Sequence, residues 1–305
     1  MSFKKETPLA NAVFWAARKG NLALLQLLLN SGRVDADCRD YFGTTALMVA
    51  SYSGHFECVK ELIMQGADIN YKREVCCHNN TGSTALFFAC QQGHNDIVQL
   101  LFEFGASTEL QTQDGGTALT VASQYGHPKV VDTLLKNGAN VNDQLLDGAT
   151  SLFLAAQEDH VTVVRQLLSS GAKVNHPRED GTAPLWMAAQ MGHSEVVKVL
   201  LLRGADQDAD RKDGSTALFK AAYKGHNNVI QELLKFSPSL GLLKNGSTVL
   251  HAAVIGGNHK TVRILLEANA DPMLPNKNNE LPADLTKSDC ILNTLHPKTV
   301  NGEIL

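Results

Sequence analysis

The stretch GGTALTVASQYGHPKVVDTLLKNGANVN, residues 115–142, contains the features that decide the fold of this chain. It opens with Gly-x-Thr-Ala-Leu, continues through small residues to Gly126-His127, and then carries the apolar pairs Val130-Val131 and Leu134-Leu135 before a Gly-Ala-Asn turn. Positions i, i+1, i+4 and i+5 form one apolar stripe on a helix. The stretch therefore predicts a short helix, a glycine loop, a second helix with one buried face, and a turn.

The same pattern recurs with a period of 33 residues, as between Gly93 and Gly126 and between Gly192 and Gly225. A further Gly-His pair stands at Gly54, Asp159-His160 takes the place midway between residues 126 and 192, and the outermost copies are Gly20-Asn21 and Gly257-Asn258. One unit cannot bury its stripe alone, so neighbouring units must stack.

The recurrence predicts one domain, residues 1–290, followed by a C-terminal tail at 293–305. Eight repeats are expected near 11–40, 41–73, 80–112, 113–145, 146–178, 179–211, 212–243 and 244–275, and a partial capping half-repeat at 276–292. The longer interval between Gly54 and Gly93 places an insertion at residues 74–80, which we expect to enlarge a hairpin loop.

Two kinds of residue are expected to define the ends of the first helix in each unit. Threonine before the helix can accept a hydrogen bond from a free backbone N–H of the first turn, and glycine after it can adopt a left-handed conformation. Asp159 replaces that glycine in the fifth unit. A non-glycine residue is strained there, although aspartate is among the better tolerated.

These eight units resemble the ankyrin-repeat family over about residues 5–290. The resemblance implies an all-α ankyrin-repeat solenoid of about eight helix-loop-helix repeats with short β-hairpin loops. The family usually has Thr-Pro-Leu-His at the start of the first helix, whereas the histidine position here is mostly bulky and apolar. We expect these residues to pack as a ladder between units: Phe14, Met48, Phe87, Thr120, Phe153, Trp186, Phe219 and His251.

Composition excludes several classes of protein. With 44% hydrophobic residues the chain can bury a core, and a net charge of −4 argues against binding nucleic acid through bulk charge. The apolar runs are too short for membrane insertion, and the first residues do not resemble a signal peptide. We therefore expect the chain in the cytoplasm, with the nucleus as an open alternative, and reduced cysteines. We also expect a monomer.

The sequence predicts neither an enzyme nor a cofactor-binding protein. The chain contains no phosphate-binding loop, H-E-x-x-H or G-x-S-x-G motif, and six of its histidines occupy one periodic loop position, which indicates a structural role. Cys76-Cys77-His78 in the insertion has metal-ligand residue types. A zinc site needs about four ligands and usually the C-x₂-C spacing, so we expect no metal there.

In the ankyrin family, the last residues of the first helix and the hairpin residues around the opening glycine face a concave groove. The resemblance carries these roles over to the groove positions Tyr52, Gln91, Gln92, Gln124, Tyr125, Gln157, Gln190, Met191, Tyr223 and Lys224. The corresponding hairpin-tip positions are Tyr41, Phe42, Gln113, Asp114, Lys212 and Asp213. Any one of these residues has the alternative role of solvating a helix end, and Tyr41-Phe42 can either anchor a partner or fold onto the hairpin.

The leading hypothesis is an intracellular interaction module, a scaffold or adaptor whose groove and hairpin tips bind a protein partner that the sequence does not identify. The alternative is the substrate-recognition subunit of a modifying complex of the ubiquitin-ligase type. That alternative requires a recruitment module, which the sequence does not reveal.

Overall fold

The computed structural model describes residues 7–74 and 81–295 of the chain. These residues form 17 α-helices and one 3₁₀ helix, with no strand longer than an isolated bridge. The first helices of the eight repeats are α1 (Pro8–Lys19), α3 (Ala46–Ser53), α5 (Ala85–Gln92), α7 (Ala118–Gln124), α9 (Ser151–Gln157), α11 (Pro184–Met191), α13 (Ala217–Lys224) and α15 (Val249–Ile255). The second helices are α2 (Leu22–Asn30), α4 (Phe56–Met64), α6 (Asn95–Glu103), α8 (Pro128–Lys136), α10 (Val161–Ser169), α12 (Ser194–Leu202), α14 (Asn227–Leu234) and α16 (His259–Glu267).

Backbone contacts divide the chain into two compact units. Unit 1 comprises Met1–Glu158 and Ser169–Ala172, and unit 2 comprises Asp159–Leu168 and Lys173–Leu305. Within each unit, a first helix packs on the first helix of the next repeat, as α3 does on α5 and α13 on α15. Second helices pack on second helices in the same way, as α12 does on α14. This is the all-α repeat stacking that the apolar stripes predict.

The local signals at the helix ends are confirmed. In seven of the first helices a threonine side chain accepts a hydrogen bond from the backbone N–H three residues later: Thr7, Thr45, Thr84, Thr117, Thr150, Thr216 and Thr248. The remaining first helix, α11, begins at Pro184 after Ala183 and lacks this bond. Proline has no N–H and its fixed φ suits a first helical position, so it supplies a different start signal.

The predicted apolar ladder is present but is not continuous. Met48, Phe87, Phe153 and Trp186 are buried, whereas Phe14 and Phe219 are only half-buried. The ladder also carries polar contacts, because the Trp186 indole donates to the Ser215 carbonyl at 3.2 Å and His251 Nε2 lies 3.0 Å from the Glu280 carbonyl. These bonds join one repeat to the hairpin of the next.

A ninth helical pair follows the eight repeats. Its first member is the 3₁₀ helix Pro282–Leu285, which packs on α15, and its second is α17 (Asp289–Leu295), which packs on α16. Helix α17 therefore crosses the boundary predicted at residue 292. It continues because Ile291 and Leu295, four residues apart, are both buried, and Thr294 Oγ1 lies 2.8 Å from His259 Nε2.

Two sequence predictions concern parts of the chain outside the described residues. The core of the 74–80 insertion, with Cys76, Cys77 and His78, lies there, as does most of the 293–305 tail. Among the residues that are described, Cys38, Cys58, Cys90 and Cys290 are free thiols. No described helix has the length and apolar character needed to cross a bilayer.

Asp159 has the left-handed conformation that the repeat pattern predicts, with a φ of 61°. We expect Asp159→Gly to raise the free energy of unfolding by up to about 1 kcal/mol, because glycine adopts this conformation without the Cβ strain. Urea unfolding followed by circular dichroism measures the change.

The control for that experiment is Asp159→Asn, which keeps a residue that tolerates the left-handed region while removing the charge that lies 3.8 Å from His193 Nδ1. The asparagine variant should match the parent, since an exposed ion pair contributes little. A glycine variant that unfolds at a lower urea concentration than the parent would show that the carboxylate contact outweighs the backbone strain.

Candidate functional site

The groove positions lie at the C-terminal ends of the first helices. Alanines such as Ala50, Ala89 and Ala222 are buried on one side of these helices. The other side carries Tyr52 and Tyr125, each with 48% of its surface exposed. Burying small residues brings neighbouring helices close together and leaves the larger side chains at the helix ends facing solvent. The sequence thus folds so that each repeat presents one or two exposed side chains immediately before its loop.

The periodic histidines hold these helix ends in place. His94 Nε2 lies 3.2 Å from the Tyr52 carbonyl, His127 Nε2 3.0 Å from the Gln91 carbonyl, and His226 Nε2 3.0 Å from the Gln190 carbonyl. A carbonyl oxygen only accepts, so the imidazole Nε2 carries the hydrogen in each contact. The loop histidine of one repeat therefore fixes the backbone of a groove residue in the preceding repeat, which agrees with the structural role predicted for it.

Unit 1 presents what we call the aromatic–amide face, made by Tyr52, Gln91, Gln124 and Tyr125, with the buried ring of Phe88 beneath it. The Tyr52 and Phe88 rings meet edge to face with their centroids 6.1 Å apart. The Gln91 side-chain amide donates to the Tyr125 hydroxyl at 3.2 Å. Side chains from neighbouring repeats thus contact each other along this face, which joins rigid aromatic area to amide groups that can donate and accept hydrogen bonds.

Unit 2 presents a different surface, which we call the cationic face: Met191, Lys212, Lys220, Tyr223, Lys224 and Ile255, above the buried ring of Trp186. The Lys220 ammonium lies 5.5 Å from the Trp186 ring centroid and 5.6 Å from that of Tyr223. The Arg211 guanidinium lies 4.9 Å from the Trp186 ring. Cations at these distances are attracted by the negative face of the ring.

Lys220 is a site residue that the sequence prediction missed, and so is the buried Phe88 ring that contacts Tyr52. Lys220 occupies the fourth position of its helix, and the equivalent residues of the other seven repeats are all uncharged: Trp15, Val49, Phe88, Val121, Leu154, Met187 and Ala252. Aligning the eight repeats at this position would have identified Lys220. It is the only charged residue in a column of uncharged ones, and packing between repeats does not require a lysine there.

The remaining groove residues lie at the predicted helix ends. Gln157 donates to Glu158 Oε1 at 2.9 Å, and the Gln190 amide contacts the Met187 sulfur at 3.9 Å. Gln92 is half-buried, whereas Gln124, Met191 and Lys224 are exposed. The groove residues fall in both units. Unit 1 contains Gln91, Gln92, Gln124 and Gln157, and unit 2 contains Gln190, Met191, Tyr223 and Lys224. Their contribution to binding stays a prediction.

The hairpin tip at Tyr41-Phe42 is well exposed. Tyr41 has 74% of its surface exposed, and its ring meets that of Phe42 edge to face at 5.4 Å. The turn is closed by Asp40, whose Oδ1 accepts from the backbone N–H of Phe42 at 2.9 Å and of Thr44 at 2.7 Å. On the other side, the Arg73 guanidinium lies 5.8 Å from the Phe42 ring. Phe42 is therefore partly covered by its neighbours, and Tyr41 projects from the tip.

The hairpin aspartates serve the turns themselves. Asp114 accepts from the Thr112 hydroxyl, and Gln113 N donates to the Thr81 carbonyl of the preceding hairpin at 2.8 Å. Asp213 Oδ1 accepts from the Ser215 N–H at 3.0 Å and from the Ser215 hydroxyl at 2.6 Å. Lys212, beside it, is exposed. Of these tip residues, Gln113 and Lys212 keep side chains directed to solvent rather than to the turn.

Arg211, next to the cationic face, is already paired with carboxylates. Arg211 contacts both nearby carboxylates, with Nη2 at 2.9 Å from Asp180 Oδ2 and Nη1 at 3.6 Å from Asp213 Oδ2. Burial acts to raise the pKa of the Asp213 carboxyl, but the hydrogen bonds from Ser215 and the charges of Arg211 and Lys220 outweigh it and hold the pKa below its ordinary value. Asp213 is therefore ionised at neutral pH and already bonded.

Histidine, cysteine and acidic side chains, the residue types of metal sites and reactive thiols, also occur among the described residues. Nowhere in 7–74 or 81–295 do three histidine, cysteine or acidic side chains come together as a metal site would require. Burial raises the pKa of the Cys90 thiol well above its ordinary value, and that of Cys38 to about 11. Thiols with raised pKa values are poor nucleophiles at neutral pH.

Comparison with known proteins agrees with this architecture. A family model described as ankyrin repeats (3 copies) matches residues 4–73, 71–145, 137–213 and 201–276. The ankyrin repeat domain-containing protein 29 of Danio rerio is 81% identical over 303 residues, which cover 99% of this chain and 100% of that protein. The human protein of the same name is 78% identical over 298 residues, covering 98% of this chain and 97% of that one.

Among solved structures, the crystal structure of the human ASB11 ankyrin repeat domain superposes with a TM-score of 0.66 at 31% sequence identity. The match covers 75% of this chain and 97% of that chain. The repeat period, the stacked helix pairs and the matches over nearly the whole sequence lead to one conclusion: the chain belongs to the ankyrin-repeat family.

Proposed function

We propose that this chain is an intracellular scaffold or adaptor that binds a partner protein through the ends of its first helices and its hairpin tips. Ankyrin repeats generally mediate contacts between proteins and are typically not enzymes. The proposal places the chain in the cytoplasm, with the nucleus as an open alternative, and treats it as a monomer.

The observation that supports this proposal most is the rigid display of exposed side chains. The Tyr52, Gln91 and Gln190 carbonyls are held by histidines of the next repeat, and the Tyr223 carbonyl accepts from Asn258 Nδ2 at 2.9 Å. Their side chains nevertheless reach solvent. A surface whose backbone is already fixed loses little conformational entropy when it binds, so more of the contact energy appears as affinity. Tyrosine is also among the residues most often found at interface hot spots.

The test is a variant in which Tyr52, Gln91, Gln124, Tyr125 and Tyr223 are all alanine. We expect proximity labelling in cells, read by quantitative mass spectrometry, to show at least a tenfold loss of the proteins enriched by the parent chain, because hot-spot truncations each cost more than about 1 kcal/mol. The melting temperature should stay within about 2 °C, since four of these side chains are at least two-fifths exposed or at a helix end, Gln91 is half-buried, and substitutions at such surface positions change stability little.

A matched control carries five alanines at exposed positions of second helices: Leu27, Lys60, Met64, Gln99 and Leu202. It should retain the enrichment of the parent chain. Equal enrichment by the parent and the groove variant would contradict the proposal, and so would equal losses from both variants.

The alternative role, substrate recognition for a modifying complex of the ubiquitin-ligase type, makes a different prediction for the same experiment. The labelled set would then include ligase components, and these would stay enriched in the groove variant while the substrates were lost. Loss of all labelled proteins together supports simple partner binding.

A further inference from the structure

Three lysines of the cationic face lie outside the ion pairs of the described residues, although the charge of Lys220 contributes to the lowered pKa of Asp213. Lys212, Lys220 and Lys224 form no ion pair with any described residue. The hairpin carboxylates Asp180 and Asp213 contact Arg211 and accept hydrogen bonds from Thr182 and Ser215 of their own turns. The next two lysines along the chain are paired, Lys235 with Glu232 at 2.7 Å and Lys244 with Asp210 at 2.9 Å. The face therefore offers unpaired positive charge to a ligand.

Lys220 is the most constrained of the three. Its side chain is half-buried on helix α13, and its ammonium lies within 6 Å of both the Trp186 and the Tyr223 ring centroids. Partial removal from water strengthens the attraction between an ammonium and an anion, because fewer water dipoles screen it. A carboxylate that binds Lys220 meets an ammonium held close to two aromatic rings. Lys212 and Lys224 are exposed, so their side chains can change conformation to contact the same ligand.

Apolar side chains flank this charge in the neighbouring repeats. Met191 stands on α11, Tyr223 on α13 and Ile255 on α15, each at the exposed end of its helix. Packed helices lie about 8–10 Å apart, and an extended chain in the polyproline II conformation advances about 3.1 Å per residue with three residues per turn, so that every third side chain lies on the same side. An extended peptide crossing the three helices would therefore place about every third side chain on one of these residues.

From this arrangement we propose that the cationic face binds an extended acidic segment of a partner protein, with apolar side chains at every third position on Met191, Tyr223 and Ile255 and carboxylates on Lys220 and Lys224. This inference rests on the proposed function and specifies the chemistry of the partner. Single-stranded nucleic acid fits this face less well, because its bases stack on aromatic side chains and two of the three apolar residues here, Met191 and Ile255, are aliphatic.

The test is fluorescence polarisation of the full chain with a labelled twelve-residue peptide that has leucine at every third position and glutamate or aspartate between. A matched peptide has glutamine and asparagine in place of the acids. We expect the acidic peptide to bind at least tenfold more tightly than the amide peptide.

Two substitutions at Lys220 separate charge from shape. Lys220→Glu should weaken binding of the acidic peptide by at least tenfold. Lys220→Met introduces the residue found at the equivalent position 187. It should weaken binding of the acidic peptide and leave binding of the amide peptide unchanged. Lys260→Glu makes the same charge change on the second helix α16 and should alter binding less than twofold. An equal loss from Lys260→Glu would overturn the inference in favour of nonspecific attraction.

Three other results would also overturn it. Equal binding of the acidic and the amide peptide would show that charge does not determine binding. If Tyr223→Ala then weakened binding of both peptides, the proposed function would stand and this inference would be wrong. Tighter binding of a uridine oligonucleotide with the same Lys220 dependence would indicate nucleic acid as the ligand. Much tighter peptide binding by a chain ending at Leu295 would indicate that residues 296–305 are the occupant.

Discussion

Leu200→Ala is expected to lower the free energy of unfolding by about 2–5 kcal/mol, the largest effect among the substitutions considered. Leu200 has no exposed surface and lies in α12, which packs on α11 and α14. Removing its branched end leaves a cavity that the surrounding helices fill only in part. Repeats are stabilised chiefly by their immediate neighbours, so the loss weakens the interface with the next repeat as well.

Leu202→Ala in the same helix is the matched control, because its side chain is 65% exposed. It should change stability by less than about 0.5 kcal/mol. Urea unfolding monitored by circular dichroism compares the two variants with the parent. Similar losses from both would mean that helix propensity, rather than burial of the stripe, determines the stability of α12.

Gly93→Ala is expected to cost about 3 kcal/mol, from left-handed strain together with crowding and a weakened hydrogen bond. Gly93 has a φ of +79°, and a Cβ there would meet His127 Nδ1 at 2.6 Å. Since His127 bonds the Gln91 carbonyl, displacing the ring also releases the backbone of a groove residue. The effect is measured as the loss of unfolding free energy in urea.

Gly105→Ala isolates the backbone contribution, because Gly105 has a φ of +88° with nothing within 4 Å of an added Cβ. Its cost should be only about 1–2 kcal/mol. The double variant Gly93→Ala/His127→Ala should lose less than the sum of its single variants, since removing the ring relieves the crowding. Equal costs at Gly93 and Gly105, or strict additivity in the double variant, would show that the ring does not limit the loop.

Local signals made much of the fold predictable. Thr117 and Gly126 stand at the start and just beyond the end of helix α7, only a few residues apart in the sequence. The buried stripe containing Val130 and Leu134 follows directly from helical geometry. The left-handed conformation of Asp159 followed from its place in the period. The extent of α17 was missed because its short stripe, Ile291 and Leu295, has no second copy with which to compare it.

The candidate site was predictable as a set of positions, since the repeat resemblance identifies which residues stand at the helix ends. The chemistry of those positions was not. Tyr223 was expected as an exposed aromatic, but its lysine neighbour Lys220 was not recognised, because a lysine one turn earlier in a helix is unremarkable without knowledge of the Trp186 ring beneath it.

The sequence by itself therefore determined the repeat, its helix ends and its buried stripes, because each depends on residues a few positions apart. Only the tertiary structure decided which charges are neutralised and which side chains meet. Arg211 reaches Asp180, and His127 reaches Gln91, across gaps of 31 and 36 residues. Such contacts depend on how one repeat packs on the next, and side-chain direction across that packing is not encoded in any local pattern.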